Sequence, residues 1–171
     1  MTSANSWANR SWANRSIYEC RRGKIGHLDL LERQADEIIV PVPVAREVLA
    51  GPADDAARRA IESGWGHRVP ATEPPPTLTE WGLGAGETSV LAVALDRSHA
   101  TAILDDAAAR SCARTFGVPV LGTIGVVLRA KGHALVPSAA DIIRALAAAG
   151  LHLDDAVIRV ALADIGERWI I

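Results

Sequence analysis

A chain of 171 residues accommodates one domain with a sizeable core, and a hydrophobic content of 49% is globular rather than biased towards disorder. The formal charge of −2 leaves no basic footprint of the kind that coats DNA, although acidic sites reach nucleic acid through a metal. Cys20 and Cys112 stand far apart without metal spacing and read as reduced thiols, and the five histidines form no HExxH or HxxxH pair, which argues against zinc.

In chain order, the first sixteen residues, MTSANSWANRSWANRS, stand apart and carry a direct repeat of SWANR. They read as a weak strand, a frayed arm or a sequence scar, because termini tolerate such changes. They lack the apolar core of a signal peptide, and no apolar run is long enough to span a membrane. The expectation is an intracellular, cytoplasmic protein with an atypical segment over 1–22 and one domain over 23–171.

From Gly23 the pattern becomes regular. GHLDLLER reads as a short helix and EIIVPV (Glu37 to Val42) as a buried, β-branched strand. VAREVLAG and PADDAARRAIESG read as helices, and the proline-rich VPATEPPPTLTEWG as a connection that no helix survives. GETSVLAVALDRS is a predicted helix, TAIL a buried strand, and DAAARSCARTFG a helix closed by Gly117. VPVLG is the next strand, and TIGVVLRAKGH a helix that Thr123 is placed to cap. SAADIIRALAAAG, closed by Gly150, and DDAVIRVALADIG complete the helices. Short continuous apolar strands alternating with helices predict a parallel sheet covered on both faces, with ligands at the C-terminal ends of the strands.

Acids fall at those ends. Glu87 opens the helix GETSVLAVALDRS and shares the face of Val90, Leu91, Ala94 and Leu95. It is either a functional carboxylate or an acid favoured by the helix N-terminus. Glu47 follows Val44 on the helix after EIIV, and its plain alternative is a surface glutamate beside Arg46. In AILDDAAAR, Asp105 and Asp106 stand where strand gives way to helix. One of them is accounted for by an N-cap; a cap does not require both. Carboxylates at strand ends suit Mg²⁺ or Mn²⁺, hard cations that take oxygen ligands and keep several waters. A pair of such ions activates water and stabilises the leaving oxygen in phosphodiester cleavage. No phosphate-binding loop, GxSxG or GxGxxG occurs.

KIGHLDLLERQADEIIVPVPVAREVLAG, GETSVLAVALDR and AILDDAAARSCARTFGVPVLGTIGVVLRAKGHALVPS, with the final helices, resemble PIN-domain proteins, in particular the prokaryotic branch related to VapC toxins. The resemblance runs from about Lys24 to Glu167, and LDDAAAR…GTIGVVLRAK is its most specific block. It implies an α/β fold of three layers, α/β/α, with a central, mainly parallel sheet. It also implies a metal-dependent ribonuclease, with RNA as substrate, Mg²⁺ or Mn²⁺ as cofactor, a homodimer, and an antitoxin protein as partner. The acid quartet is carried over to Glu47, Glu87, Asp106 and its neighbour Asp105, with Thr123 as a small polar residue beside the site.

The chain departs from that pattern at the first acid. The family's opening apolar strand ends in Asp; here the text reads SWANRSIYECRRGKIG, with no clean strand and no carboxylate before Glu19. Asn14 falls near the expected Asp and Ser16 near the expected Ser, which bears on activity more than on fold. The alternative function is a degenerate PIN-like module that binds or regulates. A phosphoacceptor receiver domain is a third reading, but its carboxylate pair comes early, whereas here the pair is late and only Lys131 follows it. Trp65 and Trp81 flank the proline-rich connection and read as core or interface packing ahead of base stacking.

Overall fold

The computed structural model describes the backbone of residues 15–18, and residues 28–148 and 154–169 in full. The SWANR repeat up to and including Asn14, with Glu19, Cys20 and Gly150, lies outside the described residues, as do the side chains of Arg15 and Ser16.

The described strands form a five-stranded sheet in the order β3-β2-β1-β4-β5, with every pairing parallel. The strands are β1 (Arg15–Tyr18), β2 (Glu37–Pro41), β3 (His67–Val69), β4 (Ala100–Ile103) and β5 (Val120–Leu121). The helices are α1 (Asp29–Glu32), α2 (Val42–Leu49), α3 (Ala56–Glu62), α4 (Pro76–Thr79), α5 (Ala85–Asp96), α6 (Ala107–Thr115), α7 (Thr123–Gly132), α8 (Ala139–Ala148) and α9 (Asp155–Ala163). Consecutive burial of Ile38, Ile39 and Val40 in β2, and of Ala100 to Ile103 in β4, requires cover on both faces of the sheet. That cover makes the α/β/α layering. The helices pack in two groups, α2 with α3 and α5 in one, and α7 with α1, α8 and α9 in the other.

Three readings of the sequence are corrected, and one left open between strand, arm and scar is decided. Arg15–Tyr18 is a strand, and it lies at the centre of the sheet, in register with Glu37–Ile39 on one side and Ala100–Ile103 on the other. Its identity comes from two neighbours that are strong strands in their own right, not from a pattern of its own. The edge strand β3 has no counterpart in the sequence reading, which leaves His67 and Arg68 unassigned and puts Val69 in the proline-rich connection, because two of its three residues are exposed and no alternation exists. The proline-rich connection does hold a helix: Pro76 occupies the first turn of α4, where its missing N–H costs nothing, and Leu78 is fully buried. Finally, α5 carries no single stripe. Ala92 and Val93 are buried along with Val90, Leu91 and Ala94, while Leu95 is exposed, because α5 is packed by α2, α4, α6 and the sheet.

The turn into β3 depends on Gly66. Its φ is +75°, and a Cβ there would stand 2.6 Å from Val40 Cγ2 in the core. Gly117 ends α6 with φ +69°, as its position in the sequence suggests. A second apolar cluster, Val127, Ala139, Ala140, Ile143, Leu146, Ile158 and Leu162, joins α7 to α8 and α9.

From β1 the chain runs outward through β2 to β3, then returns to the far side of β1 as β4. The strand order therefore reverses between β1 and β4. A crevice opens at the C-terminal ends of parallel strands at such a reversal.

Candidate metal centre at the strand ends

Two acids converge on the first turn of α5. Its N-cap, Gly84, and second residue, Gly86, present backbone N–H groups that the helix itself leaves unpaired. Glu87 turns back so that Oε2 accepts from Gly84 N–H at 2.6 Å. Glu47, arriving from α2, accepts from Gly86 N–H through Oε1 at 3.0 Å. The helix dipole favours both charges. Glu87 is only 6% exposed, so this carboxylate is held inside the protein rather than on a solvated face. The plain alternative for Glu87, an acid favoured by the helix N-terminus, is part of the arrangement: that terminus is what holds the two acids together. Glu47 is not a surface residue beside Arg46; it is half-buried and bonded across helices.

Asp105 is held separately, one residue past Leu104 at the end of β4. Its Oδ1 accepts from Thr123 N–H at 2.7 Å and its Oδ2 from Thr123 Oγ–H at 2.5 Å. Thr123 is 4% exposed and is the first residue of α7; the N-cap is Gly122, so the hydroxyl serves the acid and not the helix. Each oxygen keeps a second lone-pair direction, so this orientation is compatible with ligation. A side chain at Gly122 would crowd Asp105, since its Cβ would stand 3.1 Å from Oδ1.

Asp106 does the capping. It precedes α6, and its Oδ1 accepts from Ala109 N–H at 2.8 Å. The adjacent aspartates thus point to different tasks, one at Thr123 and one at α6.

Among the described residues, no group of three or more His, Cys, Asp or Glu side chains is close enough to hold a metal ion. The donor chemistry nonetheless fits a hard divalent cation. Every candidate donor is a carboxylate oxygen, and Mg²⁺ is usually held by one or two carboxylates with waters and phosphate completing its shell. Cys112 is not a ligand candidate: it is fully buried in α6, and burial pushes its thiol up from the ordinary range.

Arg110 is the neighbour that sequence reasoning passed over. From α6 its Nη1 donates to the carbonyl oxygens of Asp105 and, at 3.4 Å, Leu104. The only signal was its spacing after DDAAA. Trp65 is half-buried against the main core, whereas Trp81, shortly before Gly84, is 38% exposed.

No helix among the described residues is long and apolar enough to cross a membrane. No curated protein matches the chain. A model of a nuclease-type family whose members generally use divalent metal ions, DUF3368, described as a PIN domain, matches residues 23–167. That match spans most of the sequence, and with the parallel α/β sheet it shows that the chain belongs to the PIN-domain family.

Proposed function

We propose that this protein is a metal-dependent endoribonuclease related to VapC toxins, acting as the toxin of a toxin–antitoxin pair in the cytoplasm. The observation that carries the reading is the buried Glu87, joined to Glu47 at one helix terminus beside the β1/β4 reversal. A carboxylate buried at that place serves chemistry better than it serves stability, since a solvated cap costs less.

Glu47 and Glu87 at the α5 terminus, and Asp105 with Asp106 at the end of β4, are the residues proposed to hold Mg²⁺ or Mn²⁺, each pair giving an ion no more than two carboxylates and Asp106 contributing through Oδ2, the oxygen that does not cap α6. A divalent ion held by these carboxylates would supply an activated water and offset charge on the leaving oxygen. Thr123 fixes both oxygens of Asp105, so the acid meets its task without reorganising. The backbone N–H groups of Gly84 and Gly86 do the same for the two glutamates. The substrate is single-stranded RNA, and no covalent enzyme intermediate forms, because the sequence spacing suggests no Ser–His or Cys–His pair. The partners are an antitoxin protein and a second copy of the chain.

A second reading, a PIN domain that binds RNA without cleaving it, is favoured by one observation: Asn14 falls where the family's first acid is expected. An amide supplies less to a metal than a carboxylate. Incubation of a mixed RNA pool with Mn²⁺ and with EDTA separates the readings. Cleavage in Mn²⁺ that stops in EDTA supports the ribonuclease. Retention of RNA without cleavage supports the binding module, and cleavage undiminished by EDTA refutes the mechanism.

A further inference from the structure

We infer that Arg110 binds a backbone phosphate of the substrate strand beside Asp105. The inference rests on the reading of the site as one that takes RNA, and it adds a residue to that site.

Arg110 lies in the second turn of α6, and helical side chains lean towards the helix N-terminus. Its guanidinium therefore reaches back over Asp106 to the end of β4, where Nη1 donates to the carbonyls of Leu104 and Asp105. One point locates the group relative to the acid: a Cβ on Gly122 would stand 3.1 Å from Asp105 Oδ1 and 3.6 Å from Arg110 Nη1. Cation and carboxylate thus flank the same gap, one that a glycine keeps open. They do not pair. Among the described residues no carboxylate is within ion-pair distance of Arg110, and its bonds are made through Nη1 alone.

Bracing two neutral carbonyls needs one nitrogen. Nε and Nη2 are left with three N–H donors and a full positive charge, on a half-buried side chain held in place. That remaining edge of the guanidinium is the planar fork that fits two oxygens of a phosphate. In a chain of net charge −2, with acids gathered at the strand ends, a strand of RNA meets repulsion there. A fixed cation beside Asp105 offsets it and sets the phosphate's position relative to the acid.

The test is anisotropy of a short fluorescein-labelled oligouridylate, titrated with protein in Ca²⁺ over a series of KCl concentrations. Wild type, Arg110→Gln and Arg110→Lys are compared, with thermal melting of each. Loss of one charged phosphate contact predicts that Arg110→Gln weakens binding about tenfold and flattens the slope of log affinity against log salt by about 0.7. Arg110→Lys keeps the slope and regains part of the affinity, because an ammonium keeps the charge but not the fork. A brace alone would move melting but leave the slope unchanged. Arg110→Gln with wild-type affinity and slope overturns the inference and leaves the ribonuclease reading intact. Failure of wild type itself to bind the oligonucleotide overturns both. If Arg110→Gln does not fold, the lysine variant decides: a wild-type slope supports the contact and a reduced slope refutes it.

Discussion

Replacing Glu167 by glutamine removes one negative charge from a point where two distant parts of the chain are tied together. Glu167 follows α9, yet its carboxylate accepts from Ala139 N–H at 3.1 Å and Ala140 N–H at 2.8 Å, the first two residues of α8. Ser138 Oγ, 3.3 Å from Oε2, accepts in turn from Asp141 N–H at 3.1 Å. Lys131 Nζ lies 3.2 Å from Oε1. Three of the N–H groups that α8 cannot satisfy are therefore satisfied here, two of them by one side chain that is 16% exposed. A neutral amide oxygen is a weaker acceptor, and its NH₂ turns a donor towards a donor. The expected loss is about 1.5 kcal/mol, or roughly 3–6 °C in melting temperature for a chain of this size. The pH dependence has a fixed sign. Burial pushes the Glu167 carboxyl up, but the N–H groups of Ala140 and Ala139 and the Lys131 ammonium outweigh it, leaving it below its ordinary value of 4.5. A folded value below the unfolded one means stability that is present above the ordinary glutamate range and lost as pH falls through the folded value. Urea denaturation of wild type and Glu167→Gln, at neutral pH and in steps into acid, reads the difference directly. The gap is widest at neutral pH and narrows in acid. A gap under about 0.3 kcal/mol at neutral pH, or one that persists unchanged in acid, refutes the reasoning.

Three further outcomes are expected. Asp106→Ala loses the cap of α6 and about 1 kcal/mol, whereas Asp106→Ser keeps the cap and weakens Mn²⁺ binding less than Asp105→Asn does, as calorimetric titration shows. Gly66→Ala forces a left-handed residue against Val40 and costs about 2–3 kcal/mol in chemical denaturation; an unchanged midpoint contradicts the role given to that turn. Asn14→Asp tightens Mn²⁺ binding and raises RNA cleavage; if it changes neither, the first acid lies elsewhere, with Glu19 the next candidate.

What the sequence made legible follows from burial. EIIV and TAIL stand out because both faces of β2 and β4 are covered, so apart from Glu37 and Thr101 the runs are apolar and no alternation is needed. The helix opened by Glu87 was readable, and the burial of that acid agrees with its spacing to Val90, although α5 is buried on several faces and not along one stripe. Elements whose stability is borrowed were weakly readable, as with the strand, arm or scar left open for the first residues, or not readable at all. β1 is a strand because β2 and β4 flank it, and β3 because β2 offers it an edge. The division of labour between Asp105 and Asp106 was half legible: an N-cap was expected of one, but which one depends on the backbone turning extended at Asp106, with ψ 135°. Thr123 looked like a cap because it opens a helix; Gly122 takes that position, which frees the hydroxyl for Asp105. Glu167 gave no signal, since its partners lie 27 and 28 residues away.

The central claim is that Asp105, set by Thr123 at the end of β4, works with Glu47 and Glu87 to cleave RNA with a metal ion. The most direct measurement is cleavage of a single-stranded RNA labelled at its 5′ end, in Mn²⁺, by wild type and by Asp105→Asn purified side by side. The substitution keeps the size of the side chain and one oxygen for Thr123 N–H, and the Thr123 hydroxyl, which can accept as well as donate, turns to take the new NH₂. The account predicts cleavage by wild type and a rate at least about a hundredfold lower in the variant, with unchanged melting. Equal cleavage by the two proteins would contradict it.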